Sequence, residues 1–160
     1  MAAYNQWMND KVYAVCGDLP DAARREDRGA FFHSIHGTLN HLLLADRVWL
    51  GRFTGNPYAV SGLDQELFAD FGELRSQRGI TDTDIVDWAG GLTDEALTAP
   101  FEFRSITNPK SRTLPLWVCV THFFNHQAHH RGQLTTLLAQ AGLDYGVTDL
   151  LWMPDVGTGH

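Results

Sequence analysis

Cysteine is scarce in this sequence: Cys16 and Cys119 are the only two among 160 residues. Two are too few for the disulfide framework that staples small secreted domains. Positive charge is also in short supply. Twelve Lys and Arg stand against nineteen Asp and Glu, a formal charge of −7, so there is no electrostatic footprint for a phosphate backbone or an anionic lipid surface. Neither nucleic acid nor a membrane is an expected partner. Long apolar runs are missing: the longest aliphatic stretch, Leu42 to Ala45, falls far short of the roughly 20 residues that span a bilayer. The opening MAAYNQWMNDK has neither the charged region nor the apolar core of a signal peptide, and a cytoplasmic location is expected. No P-loop, dinucleotide fingerprint or G-x-S-x-G elbow occurs, which removes the commonest nucleotide and acyl-transfer chemistries.

What is present describes an ordinary globular chain. With 44% hydrophobic and 19% charged residues, residues 1–160 are expected to form a single domain whose core needs no metal to hold it. Tyr4, Trp7, Met8, Val12 and Val15 recur at helical spacing and predict a first helix closed by Gly17 and Pro20. Phe31, Ile35, Leu39, Leu42, Leu43, Trp49 and Phe53 predict a second, at about 29 to 54, ended by Gly55-Asn56-Pro57. A third runs from Leu67 through Phe71, Ile85 and Trp88 to Gly90-Gly91, with Gly79 and Thr81-Asp82 as places where it can kink or break. Alternation in FEFRSI (101–106), a breaker at Asn108-Pro109 and then SRTLPLW predict a short hairpin or extended excursion. The last helix starts at Thr113 or Pro115, passes through Val120, Phe124, Leu134 and Leu138, and stops at Gly142. The tail from Pro154 is expected to be loosely held. Four amphipathic helices with long crossings point to an all-α four-helix bundle, an architecture that builds ligand sites from inward side chains on different helices.

Histidine is what the chain has in excess. Four of the eight lie in HFFNHQAHHRGQ (122–133). At about 100° per residue, with His122 at zero, His126 falls near 40°, His130 near 80° and His129 near −20°, one broad face. A lone histidine on a half-buried helix is most simply a hydrogen-bonded core residue. A pair at i and i+4 stacks on adjacent turns, where two imidazole nitrogens can converge on one ion. His122/His126 and His126/His130 both qualify, but His122 and His130 are about 12 Å apart along the axis, so all three cannot serve one ion.

A third ligand has to come from another helix. Of His33, His36 and His41 on the second helix, His41 is preferred, because its neighbours Gly37, Thr38 and Ala45 are small and leave space beside the ring. The other two lie nearer the helix start, where exposure accounts for them. Three histidines with an open position are the pattern of a catalytic rather than a structural site. The residue after His126 is Gln127, so the H-E-x-x-H protease motif is absent, and no Glu-x-x-His motif of a di-iron bundle occurs. Neutral imidazoles suit zinc or nickel better than magnesium or calcium. Asp46 and Arg131 flank proposed ligands and are candidates to orient imidazoles, to anchor substrate, or to form a structural ion pair. Cys119 reads as a small buried hydrophobe, Trp49 and Trp117 as core aromatics, and Arg104 and Arg112 as candidate substrate contacts.

TLNHLLLADRVWL (38–50), HFFNHQAHHRGQLTTLLAQAG (122–142) and the ending GLDYGVTDLLWMP resemble the DinB/YfiT-like family, which is distinct from the DNA polymerase sharing the name. The resemblance covers nearly the whole chain in order. It implies that one histidine of the second helix and two of the last bind a divalent metal, often nickel or zinc, which here are His41, His126 and His130. His122 and His129 then become neighbours of the site. It also implies up-down-down-up connections and a homodimer. Some relatives are thiol-dependent, among them bacillithiol transferases and a mycothiol-dependent isomerase. The expectation is a metal-dependent enzyme that activates a thiol or water against a small-molecule substrate, an S-transferase or hydrolase, with a low-molecular-weight thiol as a candidate cosubstrate. The alternative is a non-catalytic, stress-related metal-binding dimer.

Overall fold

The computed structural model describes residues 1–106, 110–154 and 156. The Asn108-Pro109 breaker and most of the tail lie outside the described residues.

Helix α1, Ala2–Gly17, buries Met8, Val12, Tyr13 and Cys16 along the stripe that its periodicity predicts. A five-residue helix α2, Asp21–Arg25, follows Pro20; it is too short to carry a periodic signal. Helix α3, Ile35–Phe53, starts later than the expected 29, because residues before it make a tight turn. In that turn Gly29 and His33 have positive φ, and the His33 amide donates to the Ala30 carbonyl at 2.8 Å. Ser34 then caps the helix, its hydroxyl accepting from the Gly37 amide at 3.0 Å, which satisfies one of the orphan donors of the first turn. The turn folds back on α3 so closely that a Cβ on Gly37 would collide with the Phe32 carbonyl oxygen. Backbone therefore fills the space directly against Gly37.

Helix α4, Phe71–Gly90, is likewise capped, with Asp70 accepting from the Glu73 amide at 2.7 Å. It runs unbroken through Gly79 and Thr81-Asp82. Thr81 returns its hydroxyl to the Gln77 carbonyl at 2.9 Å, and Asp82 is held by Arg78 one turn back at 3.0 Å. A short helix α5, Asp94–Thr98, leads into strands β1, Pro100–Arg104, and β2, Ser111–Pro115. These pair antiparallel with Phe101 opposite Leu114 and Phe103 opposite Arg112. Helix α6, Leu116–Gln140, ends where Gly142 adopts φ +77. The chain is thus mostly helical with one small sheet. No helix among the described residues is long and apolar enough to cross a membrane.

The four long helices form a closed ring of contacts, with α1 against α4, α4 against α3, α3 against α6 and α6 against α1. Two apolar clusters fill it. One gathers Met8, Val12, Ile35, Leu39, Leu74, Leu134 and Leu138; the other joins Trp49, Ile85, Cys119 and Phe123 to the sheet residues Phe101, Phe103 and Leu114. Trp117, expected in the core, is 52% exposed, because it sits in the first turn of α6 on the side away from the ring. Between the clusters lies a buried polar layer. Arg78 bonds Asp46 at 2.6 Å and Asp82 at 3.0 Å, Asn9 donates to Asp82 at 2.9 Å, Gln127 donates to Asp46 at 2.7 Å, and Arg131 donates to Asn5.

Candidate metal centre

The Ser34 cap sets the phase of α3 so that His41, 4% exposed, points at α6. On α6 the helical repeat stacks His126 and His130 on adjacent turns. The three Nε2 atoms meet: His41 to His130 at 3.3 Å and His130 to His126 at 3.1 Å. Ligand atoms of all three lie within 4.8 Å of one another. Two nitrogens on a tetrahedral ion at ~2.1 Å each would be about 3.4 Å apart, so the observed spacings fit that donor set.

The outer nitrogens explain why the inner ones are available. His41 Nδ1 donates to the Leu63 carbonyl at 2.8 Å. A carbonyl can only accept, so the Nδ1 must carry the proton and Nε2 presents a lone pair. His130 Nδ1 donates to Gln133 Oε1 at 2.8 Å with the same result. Two lone pairs then face each other across 3.3 Å, an arrangement that a cation between them relieves. A proton is a poor choice of cation here. Burial, opposed by the Leu63 hydrogen bond and aided by the neighbouring His130, brings the imidazolium of His41 down to about 4. Burial, followed by repulsion from His130 and His41, takes His126 to about 3. Burial also lowers His130. All three are neutral near pH 7, the state in which imidazole ligates a metal. The Phe32 ring stacks on His41 at 3.7 Å and meets His130 edge-on at 5.5 Å, closing one side of the cluster to water.

The other candidates fall elsewhere. His122 is exposed, packs on Trp49 at 5.2 Å and lies 5.9 Å from the His126 ring. His129, also exposed, meets the Gln133 amide nitrogen at 3.4 Å and stands 4.9 Å from the His130 ring. Asp46 and Arg131 are not brought to the imidazoles. Asp46 is engaged by Arg78 and Gln127, and Arg131 by Asn5 and the Tyr4 ring. Of the two histidines expected to be exposed, His33 is so, beside Asp27. His36 is not: it is 1% exposed, because the loop before α4 folds over it and the Phe68 carbonyl meets its Nε2 at 3.0 Å. Cys119 is buried, and burial pushes its thiol up. Arg104 bonds Ser111 at 3.3 Å, whereas Arg112 lines a cavity of about 460 Å³ together with Trp49, Arg52 and His122.

Three participants escaped sequence reasoning. Leu63 acts through its carbonyl, which leaves no side-chain signal. Phe32 reads as part of the apolar stripe of α3 rather than as a ring folded back over it. Gln133 was findable, since it follows His130 by three residues, the spacing at which helical side chains meet.

A mostly helical domain with three imidazoles converging between two of its helices is compatible with a metal-binding protein. The chain belongs to the DinB family, whose model matches residues 1–158. It is 26% identical over 157 residues to Protein DinB of Bacillus subtilis (strain 168), covering 91% of this chain and 87% of that one. Its fold is similar to the crystal structure of a DinB-like protein from Bacillus cereus ATCC 10987, with a TM-score of 0.66 at 22% identity over 88% of this chain and 90% of that one.

Proposed function

We propose that this protein is a metal-dependent enzyme in which His41, His126 and His130 hold one divalent ion, nickel or zinc, with a coordination position left open for a reactant. The observation that carries the reading is the meeting of three neutral Nε2 atoms while Leu63 and Gln133 hold the protons of two rings on Nδ1. A bound divalent ion supplies the Lewis acidity that lets a thiol or water lose its proton near neutral pH. The chain's own part is positional. The Leu63 carbonyl and Gln133 fix ring orientation, as such hydrogen bonds to metal-ligating histidines do, and Phe32 excludes water from one face. A low-molecular-weight thiol as cosubstrate, giving S-transfer, and water, giving hydrolysis, are the two routes.

The reading extends to architecture. Asn5 near Asp82 and Tyr13 near Phe71 support opposite directions for α1 and α4. His41 near His130 with Trp49 near His122 supports opposite directions for α3 and α6. Asp46 near Arg78 with Phe53 near Trp88 supports a shared direction for α3 and α4, and these contacts together support an up-down-down-up bundle. Homodimer assembly belongs to the same proposal and is checked by sedimentation.

Metal titration tests the site. The expected result is one equivalent of nickel or zinc per chain, lost in His41→Ala, His126→Ala and His130→Ala but kept in His122→Ala and His129→Ala. Occupancy that survives His126→Ala, or disappears with His122→Ala, refutes the ligand set. Loaded protein screened with thiols plus electrophiles, and with hydrolysable esters and amides, then separates the two routes; silence in both leaves a binding module.

A further inference from the structure

From the structure we infer that the cavity beside the cluster is the seat for the anionic end of the substrate, and that the substrate is an organic carboxylate with a flat apolar body. The inference rests on the proposed metal enzyme and names its substrate class. The cavity, about 460 Å³, lies between α3, the start of α6 and the sheet, with Trp49 and Phe103 as apolar walls and Arg52, Arg112, His122 and Ser105 as polar groups in its lining. A smaller cavity sharing Trp49 and Arg52 reaches Leu63, whose carbonyl anchors His41. The three imidazoles themselves line neither cavity; His122 and Leu63 are the residues that join this space to their neighbourhood. His122 is one helical turn from His126 and Trp49 about two turns from His41, so the arginine end lies on the order of 10 Å from the cluster.

Charge selects the ligand. In a chain where acidic residues outnumber basic ones by 19 to 12, no carboxylate among the described residues lines either cavity. Among those residues neither Arg52 nor Arg112 forms an ion pair. Arg52 is half-buried, and its desolvation lowers its pKa from the ordinary guanidinium value. That is the cost of a cation held partly out of water without a counter-ion. Its orientation is nonetheless fixed: Nη2 donates to the Arg104 carbonyl at 2.8 Å, and the guanidinium lies over Trp49 at 4.6 Å and Phe103 at 5.8 Å. Among the described residues one donor is spent on the backbone, and the rest of the planar fork faces a two-oxygen acceptor in the geometry in which Arg recognises carboxylates. The aromatic rings that brace it offer a face on which a planar ligand body can stack.

The test uses a matched pair of probes, 2-naphthoate and 2-naphthamide, of one shape and differing in charge. Binding to the full chain is measured by calorimetry with nickel loaded and after chelation. The expected result is that naphthoate binds about tenfold more tightly than naphthamide in both forms, the worth of a charge-assisted hydrogen-bond pair. Arg52→Gln and Arg112→Gln each shrink that ratio, and the double variant erases it while naphthamide binding stays unchanged. Should Arg52→Gln disturb the sheet it braces, as seen by circular dichroism, Arg112→Gln on the exposed β2 position decides alone. In His126→Ala the preference for naphthoate must persist, so failure of the metal site and failure of this subsite are distinguishable. Equal affinity for the two probes, absence of saturable naphthoate binding, a preference that survives the double variant, or one that vanishes with the metal each overturns the inference.

Discussion

Replacing His41 by Asn in the metal-free protein should remove part of the acid sensitivity of its stability. His41 protonates near 6.5 in an unfolded chain but only near 4 when folded, because burial disfavours its cation. Between those values the unfolded state binds a proton that the folded state refuses. Stability from this group is therefore complete above about pH 6.5 and is lost as pH falls toward 4. At about 1.4 kcal/mol per pKa unit, the loss across the window is roughly 3 kcal/mol. Asp82 acts in the opposite sense: burial raises its carboxyl to about 6, so its contribution is present below the ordinary carboxylate range and is lost as pH rises through 6. The wild-type curve is thus a sum of opposing parts, and the informative quantity is wild type minus His41→Asn, in which Asp82 cancels. Asn retains an N–H for the Leu63 carbonyl and does not titrate. Urea unfolding of chelator-treated protein in steps from about pH 7.5 to 4.5 should show the wild type losing roughly 2 to 3 kcal/mol relative to the variant, nearly all of it below 6.5. A difference that stays flat across this range refutes the argument that burial holds the cluster neutral.

Gln133→Leu should weaken nickel or zinc binding about 10- to 100-fold, since it removes the acceptor that holds the His130 proton on Nδ1, while leaving the melting temperature of the metal-free chain nearly unchanged. Calorimetric titration reads this, and undiminished affinity would show that Gln133 does not orient the ring. Arg78→Met should cost about 3 to 5 kcal/mol, because it strands Asp46 and Asp82, 1% exposed each, without their shared cation. Thermal melts should fall by on the order of 10 °C, and a shift of only a degree or two would mean that water or Arg131 replaces the pairing.

How far the sequence discloses this molecule depends on which groups carry the information. The spacing of His126 and His130 is a property of any helix, and the fold brings those two to His41. The long helices α1, α3, α4 and α6 were legible in the same way, from apolar period. Pro115 also marked the start of α6, but the start of α3 was not legible. Phe31 and Phe32 continue the apolar pattern of α3 although Ser34 begins the helix, because a tight turn with two positive φ angles intervenes. Helix α4 hides its inner face, since Arg78, Thr81 and Asp82 occupy buried positions where the pattern leads one to expect apolar side chains. Arg131 was singled out by adjacency to a ligand, but adjacency in sequence is a rotation of 100° on a helix. A residue next to a ligand faces a different neighbour from the ligand itself.

That rotation explains the composition of HQAHHRGQ. His126 and Gln127 form one adjacent pair and His130 and Arg131 another, one turn apart. In each pair the histidine faces His41 and its successor faces the interior, where Gln127 donates to Asp46 and Arg131 to Asn5. The buried layer therefore holds the rotation and height of α6 from behind while the imidazoles are presented in front. Sliding α6 by one turn toward its C-terminal end would move Gln127 away from Asp46 and set Phe123 against a buried carboxylate, leaving it short of a donor at a cost of about 1–3 kcal/mol or more. An apolar layer would resist such a slide far less, because one side chain of similar volume substitutes for another. Asp46 on α3 lies five residues beyond His41 and is tied both to α6 through Gln127 and to α4 through Arg78, so the same layer fixes the third imidazole relative to the other two. Convergence of three nitrogens within 4.8 Å requires that registry between α3 and α6, and the charged interior supplies it.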